Sequence, residues 1–335
     1  MKILFIFTGG TIGCAKVGGV MSAQKGKAYD IISAYGQKYG IDFEYELEEP
    51  YVEVSENNTG VHIKALCCCI RKALLRDFDG IIVTHGSDTL QYSAAAIGYC
   101  IGLDTLPVCL VAANAPIDDE KSNALDNLRG AVRFIESGAG NGVFAVYRNG
   151  ASDRVRIHRG TRLIGAKAYS DDLSSAKRSV FGEFDKNFLF MKNPDYREYS
   201  DAIAPFDPDS LTENNREALV LFSYPAMAYP EIGKEVKYVI FNTYHSGTLN
   251  TGSTAAKNFF IEAKKRHIPV YATGVSEELC YSSALSFEEL GIIPLPELSP
   301  VAAYIKLWFI YASGEDPMDA VNSSLSGDII CTEKN

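Results

Sequence analysis

Two stretches of this chain share one grammar, and together they restrict the fold more than any other feature. Gly80-Ile81-Ile82-Val83 is an uninterrupted apolar run that ends in a polar cluster, Thr84-His85-Gly86-Ser87-Asp88-Thr89, and the residues from Leu90 to Tyr99 behind it read as a helix. Ile3 to Phe7 is a second such run, ending in Thr8-Gly9-Gly10-Thr11-Ile12-Gly13. Short runs that do not alternate with polar residues are strands buried on both faces, the habit of parallel sheets. Ligands of such sheets bind outside the carboxyl ends of the strands. Both turns therefore stand at the mouth of a site, and glycines there allow sharp turns and close approach of the backbone to a ligand.

The remaining chain repeats strand and helix. Tyr29 to Tyr39, Val61 to Phe78 and Leu125 to Ser137 read as helices, Phe43 to Glu53 as strand-like, Pro107 to Ala112 as a buried strand, and Val143 to Tyr147 with Val155 to His158 as two strands around Asn149-Gly150. Ala15 to Lys27 reads as a mobile loop, and Gly165 to Asp171 as a polar loop. Asn57, Asn58 or Thr59 caps the helix that follows them. Periodicity is lost over residues 192–216, which Pro, Asp and Asn dominate, and αβ alternation then restarts. Leu219 to Tyr224, Tyr238 to Thr243 and Val270 to Thr273 read as strands, and Thr254 to Lys265 and Pro300 to Ala312 as helices. The expected architecture is α/β with two doubly wound domains: 1–191 with a larger parallel or mixed sheet, a linker at 192–216, and 217–335 with a smaller parallel sheet.

Composition excludes several classes. A net charge of −10 over 335 residues, with only short basic runs, argues against nucleic acid as a partner. No apolar run approaches the ~20 residues of a membrane span. MKILFIFTGG reads as a first strand and not as a signal peptide. Three of the eight cysteines are consecutive, Cys67 to Cys69, and none forms paired CxxC motifs. They read as reduced thiols of a cytoplasmic protein, with no metal site and no cofactor.

Neither turn has the spacing of a P-loop or of a dinucleotide fingerprint, and Ser87 is not in a GxSxG elbow. What remains is hydroxyl chemistry at Thr11 or Ser87, set against the simpler reading that both hydroxyls cap helices. A hydroxyl nucleophile needs a base. His85 lies two residues from Ser87 and reads as a hydrogen-bonded structural histidine. Lys167, within Ile164-Gly165-Ala166-Lys167-Ala168, is the alternative base; taken alone it reads as a surface lysine.

Thr8 to Ile12 and Thr84 to Leu90 together resemble the two signature motifs of the bacterial-type asparaginase/glutaminase family, its cytoplasmic branch in particular. The resemblance extends through Pro107 to Asn114, Lys167 to Asp171 and Pro294 to Ser299, nearly the whole chain. It implies attack of Thr11 on the side-chain amide of L-asparagine, loss of ammonia, and hydrolysis of the acyl-enzyme. Ser87, Lys167 and Asp88 would form a coupled hydroxyl-lysine-carboxylate group, with Asp88 also holding the substrate amine. Ser55, Glu56 and Asn57 would bind the α-carboxylate and amine, Gly86 and Ala113 would line the substrate site, and Glu297 would enter it from a second copy of the chain in a homodimer or homotetramer.

Ser87 stands where the family usually has threonine, and Gly18-Gly19-Val20-Met21 lacks the loop tyrosine. Thr248 replaces a common asparagine, and Asn114-Ala115-Pro116 lacks a common arginine. Three alternatives follow from the same residues: a glutaminase, the amidase subunit of a tRNA-dependent amidotransferase, and an amino-acid sensor without turnover. Amidase subunits of that kind carry an extra amino-terminal domain, whereas this chain starts at its first strand. Asparagine and glutamine differ by one methylene, worth only ~1–3 kcal/mol of discrimination.

Overall fold

The computed structural model describes residues 1–10, 12, 14–17, 20–23, 27–150, 154–167, 169–201, 205–275 and 281–330. Its first half contains β1 (Lys2–Phe7), β2 (Cys14–Val17), β3 (Val20–Ala23), α1 (Lys27–Tyr39), β4 (Glu44–Glu48), α2 (Gly60–Ala73), β5 (Gly80–Thr84), α3 (Leu90–Ile101), β6 (Pro107–Val111) and α4 (Ala124–Ser137). The middle is mostly strand, with two short 3-10 turns: β7 (Gly142–Arg148), β8 (Val155–Arg159), β9 (Leu163–Ala166), β10 (Leu173–Ser175), β11 (Gly182–Phe184) and β12 (Phe190–Lys192). The last part holds β13 (Ala218–Phe222), β14 (Tyr238–Asn242), α5 (Thr254–Lys265), β15 (Val270–Thr273), α6 (Ser282–Leu285), α7 (Phe287–Leu290), β16 (Ile292–Leu295), α8 (Pro300–Ser313) and α9 (Pro317–Asn322).

Among the described residues, eight strands form one mixed sheet in the order β12-β11-β8-β7-β6-β5-β1-β4. The strands from β4 to β7 run parallel, and β8, β11 and β12 extend the sheet antiparallel. A second, wholly parallel sheet has the order β13-β14-β15-β16. This is the two-sheet α/β arrangement that the alternating pattern implies.

The apolar runs end where the pattern predicts. Ile3 to Ile6 and Ile81 to Val83 are almost inaccessible to solvent. Alternate residues of β1 and β5 enter two different cores, one on each face of the sheet. Helix α3 has no polar face, and Tyr92 is its only residue that is not buried. It lies between the large sheet and α8, itself apolar nearly all round, and Tyr99 Oη donates to the carbonyl of Ala302 on α8. On its other side α8 meets Tyr238, Ile240, Tyr271 and Leu295 of the small sheet. The alternate residues of that sheet, Val239, Phe241, Val270 and Ala272, pack with Phe259 and Phe260 of α5.

Four findings differ from the sequence expectations. The Ala15–Lys27 region, expected as a mobile loop, contains the antiparallel hairpin β2–β3 and the start of α1. The first part of the expected Gly165 loop is strand, since β9 pairs with β10. Strands β11, β12 and β16 were not anticipated; each is three or four residues long, too short to establish a period. The aperiodic 192–216 stretch is nonetheless docked: Tyr196, Phe206 and Leu211 are buried, and Phe206 stacks on Phe309 of α8 with ring centroids 5.3 Å apart.

Buried charges are paired, as their desolvation requires. Lys306 Nζ lies 2.8 Å from Asp328 Oδ2, and the backbone N–H groups of Leu325 and Ile329 donate to Asp328 Oδ1. Arg159 pairs with Glu198, and Arg162 donates to the carbonyls of Gly327 and Ile329.

Candidate functional site

Strand order explains where a site forms. From β1 the chain crosses by α1 to β4 on one side, whereas β5, on the other side of β1, leads on to β6. The sheet therefore reverses its winding between β1 and β5, and a crevice opens at their carboxyl ends. The two glycine turns lie at that crevice. Phe7 is in register with Thr84, and Thr8 donates both its N–H (3.3 Å) and its hydroxyl (2.7 Å) to the Thr84 carbonyl.

A third segment lies alongside. Gly10 N donates to Glu53 O (3.2 Å), and Glu53 N donates to Thr8 O (3.0 Å). Gly9 and Gly10 both have positive φ, +99° and +74°. A Cβ at Gly10 would stand 2.3 Å from Gly86 N, and one at Gly86 would stand 2.4 Å from Ser55 Oγ. The three segments thus meet backbone to backbone, and only glycine permits the meeting. Ser55 is buried, and its carbonyl accepts from Thr89 Oγ1 (2.9 Å), which in turn accepts from Asn58 Nδ2 (3.3 Å).

His85 has no exposed surface. Its Nδ1 is 2.8 Å from the Gly86 carbonyl, so Nδ1 carries the proton and donates; Nε2, 2.9 Å from Ser93 Oγ, accepts. Burial pushes its pKa down to about 4, opposed only by the Gly86 carbonyl. It is a neutral strut of the turn, as the sequence reading expects.

The expected site residues fall into three groups. Thr11 lies outside the described residues. Ser55 and Gly86 meet at the crevice and are buried, and Ser87 and Asp88, next in the chain after Gly86, are half-buried and exposed. Ala113 is buried on the same edge, two residues past Val111, whose carbonyl accepts from His85 N (2.9 Å). Glu56 and Asn57 are exposed on the turn after Ser55, and Asn57 Nδ2 is held by Glu53 Oε1 (3.2 Å).

Lys167 arrives by a different route. The Asp88 carbonyl accepts from Gln91 Nε2 (3.0 Å), and Gln91 lies against Gly165, where a Cβ would come within 2.9 Å of that nitrogen. Lys167, two residues further on, is exposed, and among the described residues no hydrogen bond or ion pair joins it to Ser87 or Asp88. Glu297 is half-buried in the turn between β16 and α8, its carbonyl accepting from Ile330 N, and among the described residues no hydrogen bond or ion pair joins it to the crevice. No cluster of three His, Cys, Asp or Glu able to hold a metal occurs among the described residues. No helix among them is long and apolar enough to cross a membrane. Cys67, Cys68, Cys69, Cys100 and Cys109 are free thiols.

Sequence reasoning missed Glu53, Asn58, Gln91 and Ser93, which hold the turns in place. Ser93 carries a legible signal: it lies one helical turn after Thr89, on the face of α3 that meets His85.

Comparison with known proteins agrees with this fold. Residues 2–195 match the family model described as "Asparaginase, N-terminal". Curated relatives include a glutamyl-tRNA(Gln) amidotransferase subunit of Pyrobaculum aerophilum, 26% identical over 93% of this chain and 75% of that protein, and its counterpart in Haloquadratum walsbyi, 26% identical over 82% and 63%. The chain thus spans about three fifths to three quarters of the length of such relatives. Among solved structures, the thermostable L-asparaginase of Thermococcus kodakarensis superposes with a TM-score of 0.78, at 22% identity and covering 99% of this chain and 100% of that one. L-asparaginase I of Vibrio cholerae superposes at 0.75, with 18% identity and coverage of 98% and 99%. At such identities the structural likeness establishes the fold alone. Because the family model covers more than half of the residues, the chain belongs to the asparaginase family.

Proposed function

We propose that the chain hydrolyses the side-chain amide of L-asparagine to L-aspartate and ammonia. The observation that carries this reading is the convergence of Gly10, Gly86 and Ser55 at the carboxyl ends of β1 and β5. Thr11, next after Gly10, is the proposed nucleophile. Its Oγ bonds to the amide carbon, giving a tetrahedral oxyanion. The Ser87, Lys167 and Asp88 group takes the Thr11 proton as this bond forms; the C–N bond then breaks, and ammonia leaves with that proton. Water adds to the ester, aspartate departs, and the Thr11 hydroxyl regains its proton. Backbone N–H groups of the two glycine turns are the proposed oxyanion donors, usually a large contribution in acyl transfer. Ser55 with Glu56 or Asn57 takes the α-carboxylate and amine, Asp88 takes the amine, and Ala113 borders the side chain. Glu297 of a second copy completes the site, which makes the working form a homodimer or homotetramer. The free thiols fit a cytoplasmic setting.

Ammonia release measured against concentration for asparagine and for glutamine tests this. Turnover of asparagine is expected, lost in Thr11→Val and sharply reduced in Lys167→Met. Wild-type turnover in both folded variants would refute the mechanism.

The relatives favour a second reading. Proteins named as subunits of a glutamyl-tRNA(Gln) amidotransferase match 93% of this chain in one case. On that reading the substrate is glutamine, and the ammonia passes to a partner protein. A preference for glutamine together with co-purification of a second polypeptide would select it over asparagine hydrolysis.

A further inference from the structure

A second hollow lies at the far edge of the large sheet, away from the crevice between β1 and β5. It measures about 910 Å³ and is bounded by β8, β10, the β11–β12 hairpin and the residues Lys167, Ser170 and Asp172. That is within the ordinary size of small-molecule pockets, roughly 300–1,000 Å³. Its lining runs against the composition of the chain. The whole protein carries a net charge of −10, yet among the described residues four cations, Arg156, Lys167, Arg178 and Lys192, face this hollow against two carboxylates, Asp172 and Glu183.

Both carboxylates are already engaged. Glu183 pairs with Arg154, and Arg156 Nε lies 3.7 Å from its other oxygen; Asp172 Oδ1 accepts from Gly150 N at 2.8 Å. Among the described residues Lys167, Arg178 and Lys192 form no ion pair. Lys192 Nζ rests 5.1 Å from the centre of the Phe181 ring.

The floor adds an independent observation. His158 shares a face of β8 with Arg156, two residues away, and is 1% exposed. Its Nδ1 is 2.8 Å from Ser175 Oγ, but its Nε2 is buried with no partner among the described residues. A buried polar atom left so costs roughly 1–3 kcal/mol, and such atoms call for an explanation. The rim is strained as well: Lys177 and Arg178 both hold left-handed backbone, φ +49° and +57°, a conformation that persists only where its surroundings enforce it.

We propose that this hollow is a binding site for a small multivalent anion, a phosphate or a dicarboxylate, held by Arg156, Arg178 and Lys192 over His158. Lys167 and Ser170 also line it, so an occupant touches both of them and the β11–β12 hairpin. Lys167 also belongs to the proposed hydrolytic group, so binding is measured directly and not through ammonia release.

The test is calorimetric titration of the whole protein at low salt with inorganic phosphate and, separately, with malonate. At least one is expected to bind, and the tighter of the two identifies the source of the anionic group. Arg178→Ala and Lys192→Ala, both at exposed side chains, are each expected to weaken binding about tenfold, one charge-assisted hydrogen bond apiece, and to leave ammonia release unchanged. Absence of heat with both anions, or unaltered affinity in both variants, would overturn the site.

Discussion

Two histidines of one sheet, at strands with two others between them, show what separates structure from opportunity. His85 follows β5 and His158 lies within β8; they are 0% and 1% exposed, and burial pushes both pKa values down, to about 4 and about 3. Their hydrogen bonding differs. His85 is satisfied on both ring nitrogens by Gly86 and Ser93, and it braces a turn whose neighbours are the proposed site of chemistry. His158 is satisfied on one only, and it faces a cationic hollow. A fully bonded buried histidine belongs to the scaffold; a half-bonded one leaves room for a ligand.

The largest effect expected from this contrast concerns one glycine of the crevice and one near the hollow. Gly10→Ala forces a Cβ within 2.3 Å of Gly86 N at a φ of +74°, so the two turns must part. Ammonia release should fall at least ~100-fold, the cost of misplacing reacting groups by about an ångström. Gly150→Ala, near the hollow, meets only Asp172 Oδ1 at 3.9 Å and should leave turnover unchanged. Steady-state rates of the two variants decide whether the crevice is as tightly determined as its contacts indicate.

Next in size is removal of His85 itself. His85→Leu keeps the volume but strips partners from the Gly86 carbonyl and the Ser93 hydroxyl, both buried. Urea unfolding should show a loss of ~2–4 kcal/mol, since two buried groups lose their hydrogen bonds. A loss below ~1 kcal/mol would remove His85 from the scaffold.

The sequence exposed the crevice better than the hollow, for a physical reason. The crevice rests on long apolar runs that end in glycine, and both halves of that pattern are local. Its supporting bonds are not: Gln91 reaching Asp88, or Asn58 reaching Thr89, depends on where helices settle. The hollow is assembled from Arg156, Lys167, Arg178 and Lys192, which lie on separate short strands and turns. Strands of three residues such as β11 and β12 carry no measurable period, so nothing in the chain announces that these cations converge. Helix α8 lies between these extremes. Its apolar run is plain in the sequence, but its place between α3 and the small sheet emerges only from packing.

Acid sharpens the contrast between the histidines. Both folded pKa values lie below the unfolded value near 6.5, so the unfolded chain takes up protons that the folded chain refuses. The stability tied to each neutral ring is fully present above about pH 6.5. It declines as pH falls, by at most ~1.4 kcal/mol per unit per histidine, until the folded value is reached. Urea midpoints taken from pH 7 down to pH 5 should fall more gently in His158→Leu than in the wild type. Equal slopes would mean that His158 is not held neutral.

The smallest effect is the most discriminating. At pH 7.5 in anion-free buffer, His158→Leu loses one hydrogen bond to Ser175 but also removes an unpartnered buried nitrogen. The two changes offset, and the variant should lie within ~1 kcal/mol of the wild type, unlike His85→Leu. Phosphate then separates them. A ligand that binds only the folded protein raises its stability with concentration, by ~2.7 kcal/mol at a hundred times its dissociation constant. The wild type and His85→Leu should both gain in phosphate, whereas His158→Leu, whose apolar floor offers the anion no hydrogen bond, should gain less. Equal gains in all three would leave His158 a scaffold residue like His85, and the contrast between the two histidines would close.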